Sequence, residues 1–344
     1  MRIRKIMRQS IIVITAAAIS LLTGCGSMSG HDKSDYNFVM RGDKDLSNIR
    51  LSGADLSNVN LEDANLANAD LENANLENAD LIGAILKGAN LKGANLKNAR
   101  MNGANLTGAE LQGCNLSNVN LSKAKMVRVN LTTANLQSIR LKGAVLNKSD
   151  LTGTDLTGIN VSGSDFLGAR MNGINLQEAD LSGAELSWAS LQKANLKKAN
   201  LAGARLNHTD LAGANLVWAD MEGADMKFIT LRQANIEGAR LRWADLNSAD
   251  LAGANLNQAN LEEAKLQNAN LINVNLSGAN CSRIILQGAS LNNADLSNTN
   301  LQNANLENAD FFSADLSGAK IDKKWKKLME KQKVRNYAAI LWID

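Results

Sequence analysis

Side chains that commonly do chemistry are few in this sequence and lie far apart along it. The 344 residues include two histidines, His31 and His208, and three cysteines, Cys25, Cys114 and Cys281. A nucleophilic triad or a zinc centre brings several such groups to one place, whereas here one histidine lies near the start and the other is isolated. The sequence therefore predicts no catalytic, cofactor-binding or metal-binding residue, and we do not expect an enzyme.

Carboxylates are plentiful, with 34 Asp and Glu residues, but their placement is regular. Many come one residue before a large apolar residue, as Asp55 does before Leu56. Asp and Asn suit chain corners because their side chains bond to nearby backbone amides. We therefore interpret these acids as structural, and the element that positions them is a repeat.

The repeat runs from Leu46 to Ile321, where an apolar residue returns at every fifth position. Steps of five from 46 to 321 give 56 such centres, and none is polar. From Leu51 on, the residue two positions before each centre is small or modest in size, usually Ala and sometimes Val, Ile, Thr, Ser or Cys, most often with Asp or Asn between the two. A period of five fits neither an amphipathic helix, with its period of 3.6, nor an alternating strand. It fits a coil that turns one corner in each pentapeptide.

Four such corners make a square coil of 20 residues, stacked on its neighbours at about 4.8 Å. The 56 centres then give about 14 coils and a rod roughly 67 Å long. The unit A-(D/N)-L-x-x resembles the pentapeptide-repeat family, whose members are right-handed quadrilateral β-helices. The resemblance implies an all-β solenoid over residues 46–321, and it does not define a function.

Composition agrees with a coiled column. The chain has no proline, so every coil keeps its backbone donors. Aromatic residues are 3% of the chain, too few for a compact globular core. In the rod, Cys114 and Cys281 would lie about eight coils apart, roughly 40 Å, and a disulfide needs Cα atoms within about 7 Å. We interpret both as core residues.

Residues 1–24 are interpreted as a targeting segment. Four cations precede the apolar run 11–22, which is shorter than the about 20 residues that span a bilayer. The run ends in Leu22-Thr23-Gly24-Cys25, which resembles the lipobox of bacterial lipoproteins. The resemblance implies cleavage before Cys25 and its lipidation with diacylglycerol and fatty acid. The alternative is an ordinary signal peptide, or an N-terminal anchor, with a chance cysteine.

The segments that flank the repeat are predicted to be a tether and two caps. Residues 25–45 hold the anchor, a polar tether to about residue 35 and an apolar cluster that we interpret as an N-terminal cap, or alternatively as a partner-binding segment. The cluster comprises Tyr36, Phe38, Val39 and Met40. Residues 322–344 predict a capping helix that starts at Asp322 and buries Trp325, Leu328, Met329 and Gln332. The alternative for this tail is a basic amphipathic helix on an anionic membrane.

The net charge of +3 is due to the targeting segment, which carries four cations and no acid. Without it the chain is close to −1, and residues 46–321 balance 23 Lys and Arg against 27 Asp and Glu. A nearly neutral rod gives no electrostatic reason to bind nucleic acid. The family resemblance offers one alternative function, because some members mimic DNA and bind DNA gyrase. That mimicry requires a strongly acidic surface and a cytoplasmic address.

One side of the rod concentrates outward apolar residues. We call this side face one; its centres are Leu46 and every twentieth residue to Leu306. Its candidate interaction residues are Ile85, Val127, Val145, Leu167, Trp188, His208, Phe228 and Ile285. Trp188, His208 and Phe228 follow one another at intervals of one coil, so we expect their rings to stack. Such a concentration suggests an interaction surface, although chance and local packing along the stacked coils could also produce it.

The expected function is a non-enzymatic, lipid-anchored rod of the bacterial cell envelope that acts as a scaffold or binds protein through face one. Its expected partners are a membrane, through the N-terminal lipid, and a protein or a second copy. We expect no nucleic acid and no small-molecule substrate. Gly26 after Cys25 resembles lipoproteins of the outer membrane, facing the periplasm, if the cell has two membranes.

Overall fold

The computed structural model describes residues 30–344, so the targeting segment and Cys25 lie outside the described residues. Helix α1 spans Gly30–Arg41, and the coiled region follows it. The end of the chain forms strand β1 (Lys320–Asp322), a 3₁₀ turn (Lys323–Trp325), helix α2 (Lys326–Lys331), a second 3₁₀ turn (Tyr337–Ala339) and strand β2 (Leu341–Ile343). Within residues 30–344, no helix is both long and apolar enough to cross a membrane.

Stacked residues of the coiled region are 20 positions apart, as the repeat predicts. Parallel bridges join Asp45 to Asn65 and recur at almost every fifth residue, with the last between Asp315 and Arg335. Each bridge is a single residue pair flanked by a turn, so regular strands are rare although the backbone ladder is extensive. A chain that turns every five residues has no room for a longer strand.

The core is a column of centres alternating with small residues. Leu51 and Leu56 are fully buried, and so is Ala54 between them. Full burial of each such leucine contributes roughly 1.5–3 kcal/mol relative to exposure. Because the column is one coil wide, each coil is stabilised mainly by the coils above and below it.

Polar residues at inward positions are paired with backbone. Ser149 Oγ donates to the carbonyl oxygen of Met126 at 2.7 Å, and Thr209 Oγ1 donates to that of Leu186 at 2.8 Å. Ser164 and Thr299 make the same contact with a carbonyl of the preceding coil. A buried hydroxyl that is satisfied in this way avoids the free energy penalty of an unpaired polar group.

Corners require a left-handed backbone at the second residue after each centre. Glycine occupies many of these positions, such as Gly53 with φ of 67°, and asparagine many others, such as Asn58 with φ of 60°. Trp188, His208 and Phe228 adopt the same conformation, with φ of 62°, 59° and 58°. For a residue with a side chain, this conformation costs roughly 1–2 kcal/mol.

One break interrupts the ladder. Bridges join Asn130 to Asp150 and Val145 to Asp165, but among the described residues none joins 135 to 155 or 140 to 160. Two adjacent sides of one coil pair are therefore open, although the pentapeptide period continues through them without a slip.

The N-terminal segment differs in part from its prediction. Helix α1 begins at Gly30, so the second half of the predicted polar tether is helical. Of the predicted cap cluster, Val39 is buried, Tyr36 packs against the core, and Phe38 and Met40 are exposed. A helix presents only one side to the first coil, so consecutive apolar residues cannot all be covered. The Asp35 carboxylate also accepts a hydrogen bond from the Arg50 backbone N–H at 2.8 Å.

The C-terminal segment packs on the last coil with a later helix start than predicted. Helix α2 begins at Lys326, and the Asp322 side chain makes no capping bond to the turn that follows it. Its carboxylate instead accepts a hydrogen bond from the Asn303 backbone N–H at 3.1 Å. Strand β2 pairs in parallel with β1, so Lys320 lies opposite Leu341.

Side chains of the tail also pair with backbone groups at the end of the coiled region. Trp325 Nε1 donates to the Ala304 carbonyl at 3.1 Å, and Gln332 Nε2 donates to the Ala309 carbonyl at 2.8 Å. Gln332 Oε1 accepts from the Phe311 backbone N–H, and Met329 is fully buried. The tail therefore satisfies polar groups that the end of the ladder would otherwise leave unpaired.

Candidate interaction face

Trp188, His208 and Phe228 form a continuous aromatic stack on face one. The ring centroids of Trp188 and His208 are 4.0 Å apart with 12° between the planes. Those of His208 and Phe228 are 4.8 Å apart with 4° between the planes. The stacking predicted from their spacing along the sequence is present, because each residue occupies the same corner of successive coils.

The stack is exposed although it is ordered. Trp188 is 63% exposed and Phe228 is 53% exposed, and His208 is also exposed. The rings cover one another's faces, so their edges point to solvent. Stacked aromatic pairs contribute about 0.5–1.5 kcal/mol beyond burial, which offsets part of the cost of the left-handed backbone at these corners. Asparagine or glycine would be less strained there, so backbone geometry does not explain the choice of residues.

Ion pairs border the stack on the same coils. Arg205 Nε lies 3.1 Å from a Glu185 carboxylate oxygen. Lys227 Nζ lies 2.9 Å from Asp225 and 3.3 Å from Asp245. The apolar strip is thus flanked by charges of both signs that neutralise one another locally.

Asp225 is held ionised by its neighbours. Partial burial acts to raise its pKa, but hydrogen bonds from Asn207 and Lys227 and the nearby Lys227 and Arg205 charges lower the pKa below the usual value. The Asn207 Nδ2 donates to Asp225 at 2.9 Å. This charged group is therefore fixed in place beside the stack.

The remaining predicted face residues are less concentrated. Ile85 and Leu167 are exposed, and Val127, Val145 and Ile285 are partly exposed. Ile85 and Ile285 lie ten coils apart, which is about 48 Å along the rod. The compact part of the candidate face is therefore the stack with Leu167 and Val145 one and two coils before it.

A second ordered cluster, in which charged side chains surround Trp243, lies on another side of the rod and was not predicted from the sequence. The Arg242 guanidinium lies 3.9 Å from the Trp243 ring centroid, and Trp243 Nε1 donates to Glu263 at 3.1 Å. Arg283 lies 3.2 Å from Glu263 and links this cluster to the next coil. Trp243 and Glu263 occupy equivalent positions of successive coils, so a comparison of such positions along the sequence could have found the pair.

Potential metal ligands are not brought together in the part of the chain that the structure describes. No three His, Cys, Asp or Glu side chains there are arranged to hold a metal ion. Cys114 and Cys281 are buried free thiols, as their predicted core positions require. Burial raises the pKa of each thiol to about 12, and Cys114 Sγ donates to the Leu91 carbonyl at 2.8 Å.

We expect both thiols to be unreactive in the folded protein. In a chain carrying Cys25→Ser, a thiol reagent at pH 8 should label neither cysteine before unfolding and both after it in guanidinium. The reason is that the thiolate is the reactive form, and a pKa of about 12 leaves very little thiolate at pH 8. A thiol that reacts in the native chain with an apparent pKa near the free value would contradict this burial.

Comparison with known proteins identifies the repeat. The profile of the family described as pentapeptide repeats matches eight copies, at 45–83, 84–122, 124–163, 160–197, 189–227, 227–262, 254–293 and 289–323. No curated protein matches significantly.

Several solved structures are similar. HetL, a pentapeptide repeat protein involved in heterocyst differentiation regulation from the cyanobacterium Nostoc, is 32% identical over 63% of this chain and 89% of its own, with a TM-score of 0.37. QnrB1, a plasmid-mediated fluoroquinolone resistance protein, is 23% identical over 57% of this chain and 91% of its own, with a TM-score of 0.34. A pentapeptide repeat protein from the Arabidopsis thaliana thylakoid lumen is 24% identical over 35% of this chain and 81% of its own, with a TM-score of 0.24.

Proposed function

The chain belongs to the pentapeptide-repeat family, whose members fold as right-handed quadrilateral β-helices, and on that premise we propose that it is a non-enzymatic interaction rod of about 14 coils. The observation that supports a binding role most directly is the stack of Trp188, His208 and Phe228. Three exposed aromatic residues occupy, in successive coils, strained corners that glycine or asparagine fill most often elsewhere in the rod. The partner in this proposal is a protein or a second copy of the chain, and the tail serves as the C-terminal cap.

The proposed partner surface combines an apolar strip with paired charges. Buried interface cores favour aromatic residues, and the surrounding rim is polar. The stack supplies the aromatic core of such an interface, while the Arg205–Glu185 and Lys227–Asp225 pairs supply its polar rim. A partner that covers the ring edges would dehydrate a strip about 10 Å long, small enough to act as the centre of a larger contact.

We expect the double variant Trp188→Asn, Phe228→Asn to lose partner binding or self-association while keeping its fold. Asparagine accepts the left-handed backbone of both positions, so the free energy of unfolding should change by less than about 1 kcal/mol. The measurements are sedimentation velocity for self-association, crosslinking in cells for partner capture, and thermal denaturation for stability.

The matched control is Trp218→Asn. Trp218 has the same backbone conformation, with φ of 59°, and is 54% exposed, but its ring lies over Gly238 on another side of the rod. Its replacement should leave binding intact. If the control abolishes binding as fully as the double variant, face one is not the binding surface.

We also propose that the rod is anchored in the bacterial envelope by lipid on Cys25, with the outer membrane as the site in a cell with two membranes. The proposal rests on the targeting segment and on the lipobox-like tetrapeptide that ends at Cys25. Two or three acyl chains would anchor a protein stably, where one chain binds only marginally.

Replacing Cys25 by serine should leave an uncleaved or soluble species without incorporated fatty acid. The thiol is the attachment point of the diacylglycerol in this scheme, and serine does not replace it. Labelling cells with radioactive palmitate, followed by isolation of the protein, measures the incorporation. Label that still enters the Cys25→Ser protein at the wild-type level would show that the lipid is attached elsewhere.

The DNA-mimicking alternative has weaker support. Mimicry of a duplex requires a strongly acidic surface, whereas residues 46–321 carry 23 cations and 27 anions. Arginines pair with acids along the rod; for example, Arg240 lies 3.1 Å from Asp220. Addition of the purified rod to a gyrase supercoiling reaction tests this alternative, and protection from a quinolone would favour it.

A further inference from the structure

The break in the ladder leaves backbone groups of two neighbouring coils without partners. In intact parts of the rod, nearly every centre donates its N–H to a carbonyl of the next coil, as Leu116 does to Asn135 at 2.9 Å and Leu156 to Asn175 at 2.8 Å. The equivalent groups of Leu136, Ser138 and Leu141 make no such bond within the described chain. Across the opening, the N–H groups of Asp155 and Asn160 also lack their usual carbonyl partners in the preceding coil.

Bulky inward residues explain why the coils separate here. The small position between two centres is occupied by Val119, Ile139 and Ile159 in three successive coils. Elsewhere an isoleucine at such a position is flanked by smaller residues; Ile284, for example, lies between Ala264 and Ala304. The space that the stacked leucine centres leave at this inward position suits alanine, so two isoleucines in successive coils overfill it.

The local contacts agree with this separation. Leu136, Ile139, Leu156 and Ile159 remain 6%, 5%, 3% and 9% exposed, whereas most core residues are at 0–2%. Thr154 Oγ1 donates to the Leu151 carbonyl of its own coil, whereas other inward hydroxyls reach a carbonyl of the preceding coil. The opening is therefore a place where two coils have lost contact.

The opening between the two coils forms a cleft of about 700 Å³. Apolar side chains of Leu136, Ile139, Leu156 and Ile159 line its floor. Polar side chains line its rim: Asn135, Gln137, Ser138, Asp155, Thr157 and Asn160. Hydroxyl, amide and carboxylate groups at the rim can orient a polar ligand over an apolar base.

We propose that this cleft binds one extended polypeptide segment of a partner protein, which inserts as an additional strand between the two coils. On one of the two open sides, the unpaired groups alternate as they do along a strand edge: the N–H groups of Leu136 and Ser138 on one coil, and the Asp155 N–H with the Asp155 and Thr157 carbonyls on the other. An extended backbone presents donors and acceptors at this spacing. Each residue of a strand occupies about 4.8 Å between strands, about 10 Å between sheets and about 3.3 Å along the chain. The cleft volume therefore has room for about four residues, close to one pentapeptide with its apolar residue on the floor.

The side chains define what the segment must look like. The residues of the segment that face the floor must alternate between large apolar and small side chains, because the floor consists of Leu136 and Leu156 beside the two isoleucines. Proline is excluded at residues that donate to an edge. Inserted strands of this kind gain affinity from backbone bonds and specificity from alternate side chains. The site lies on two sides of the rod other than face one, so it does not depend on the aromatic stack.

The first experiment measures amide hydrogen exchange of the full chain with a synthetic probe peptide that copies residues 194–203. The amides of Leu136, Ser138 and Leu141 should exchange at least about tenfold faster than those of Leu196, Lys198 and Leu201 in the free chain. Millimolar peptide should slow exchange in the cleft and leave the second set unchanged. Equal protection of the two sets in the free chain, or no protection by the peptide, overturns the proposal.

Two controls separate strand pairing from hydrophobic adhesion. The same peptide N-methylated at alternate residues keeps its side chains but loses donors, so it should bind at least about tenfold more weakly by fluorescence anisotropy. The double variant Ile139→Ala, Ile159→Ala should close the coils, protect the cleft amides and lose peptide binding, whereas Ile284→Ala should retain it. Equal affinity of the methylated peptide, or undiminished binding to the closed variant, overturns strand insertion.

Discussion

Replacement of Leu196 by aspartate is expected to destabilise the rod by about 3–5 kcal/mol or more, because it removes a buried leucine and puts a carboxylate in its place. Leu196 is 1% exposed and lies in the middle of the column. The carboxylate would have no partner among the surrounding leucines and alanines. Thermal and guanidinium denaturation of the two proteins measures the change.

The neighbouring residue supplies the control. Lys197 is exposed and its backbone N–H is bonded to the Asn195 side chain at 3.3 Å. Lys197→Asp introduces the same carboxylate one position away and should change stability by less than about 0.5 kcal/mol. Equal shifts for the two variants would show that the inward and outward assignment of the pentapeptide is wrong.

Deletion of residues 323–344 is expected to cost about 3 kcal/mol or more and to make the protein associate end to end. The deletion exposes the apolar surface that Met329 covers, at about 1.5–3 kcal/mol. It also removes the hydrogen bonds of Gln332 to the Phe311 N–H and the Ala309 carbonyl, and each lost hydrogen bond adds about 0.5–1.5 kcal/mol. An uncovered ladder edge is in addition a template for pairing with another chain.

Sedimentation velocity at several concentrations, together with thermal denaturation, measures both effects. Lys327→Ala serves as the control, because Lys327 is exposed in the same helix and its loss should leave the association state and the stability of the full chain unchanged. A truncated protein that stays monomeric with the full melting temperature would show that the tail does not cap the rod.

The regular part of the fold could be predicted because one pentapeptide carries the whole pattern. Leu at the centre, Ala inward and Asp or Asn between them define which residues face the core, and the structure places bridges at the expected spacing of 20. The break could not be predicted from the period, since Ile139 and Ile159 each satisfy the rule for an apolar inward residue. Only their stacking makes them incompatible, and that follows from comparing equivalent positions of successive coils.

The ends were predicted less well for a related reason. Neither end repeats, so its structure depends on contacts that leave no period in the sequence. The parallel pairing of Lys320 with Leu341 and the bond from Trp325 to Ala304 have no sequence signal. The aromatic stack was predictable because Trp188, His208 and Phe228 share one phase of the coil, whereas the ion pairs around it depend on side-chain conformations.

The break in the ladder also has a thermodynamic consequence. In a column where each coil is stabilised by its neighbours, unfolding spreads from coil to coil as long as every interface is strong. The interface between residues 131–150 and 151–170 retains bridges on only two of its four sides. It is therefore the least stable of the interfaces between neighbouring coils. The chain on either side of it then melts as a separate cooperative unit. In calorimetry this gives a van't Hoff enthalpy smaller than the measured enthalpy of unfolding, the signature of a protein that is continuous in sequence but not two-state.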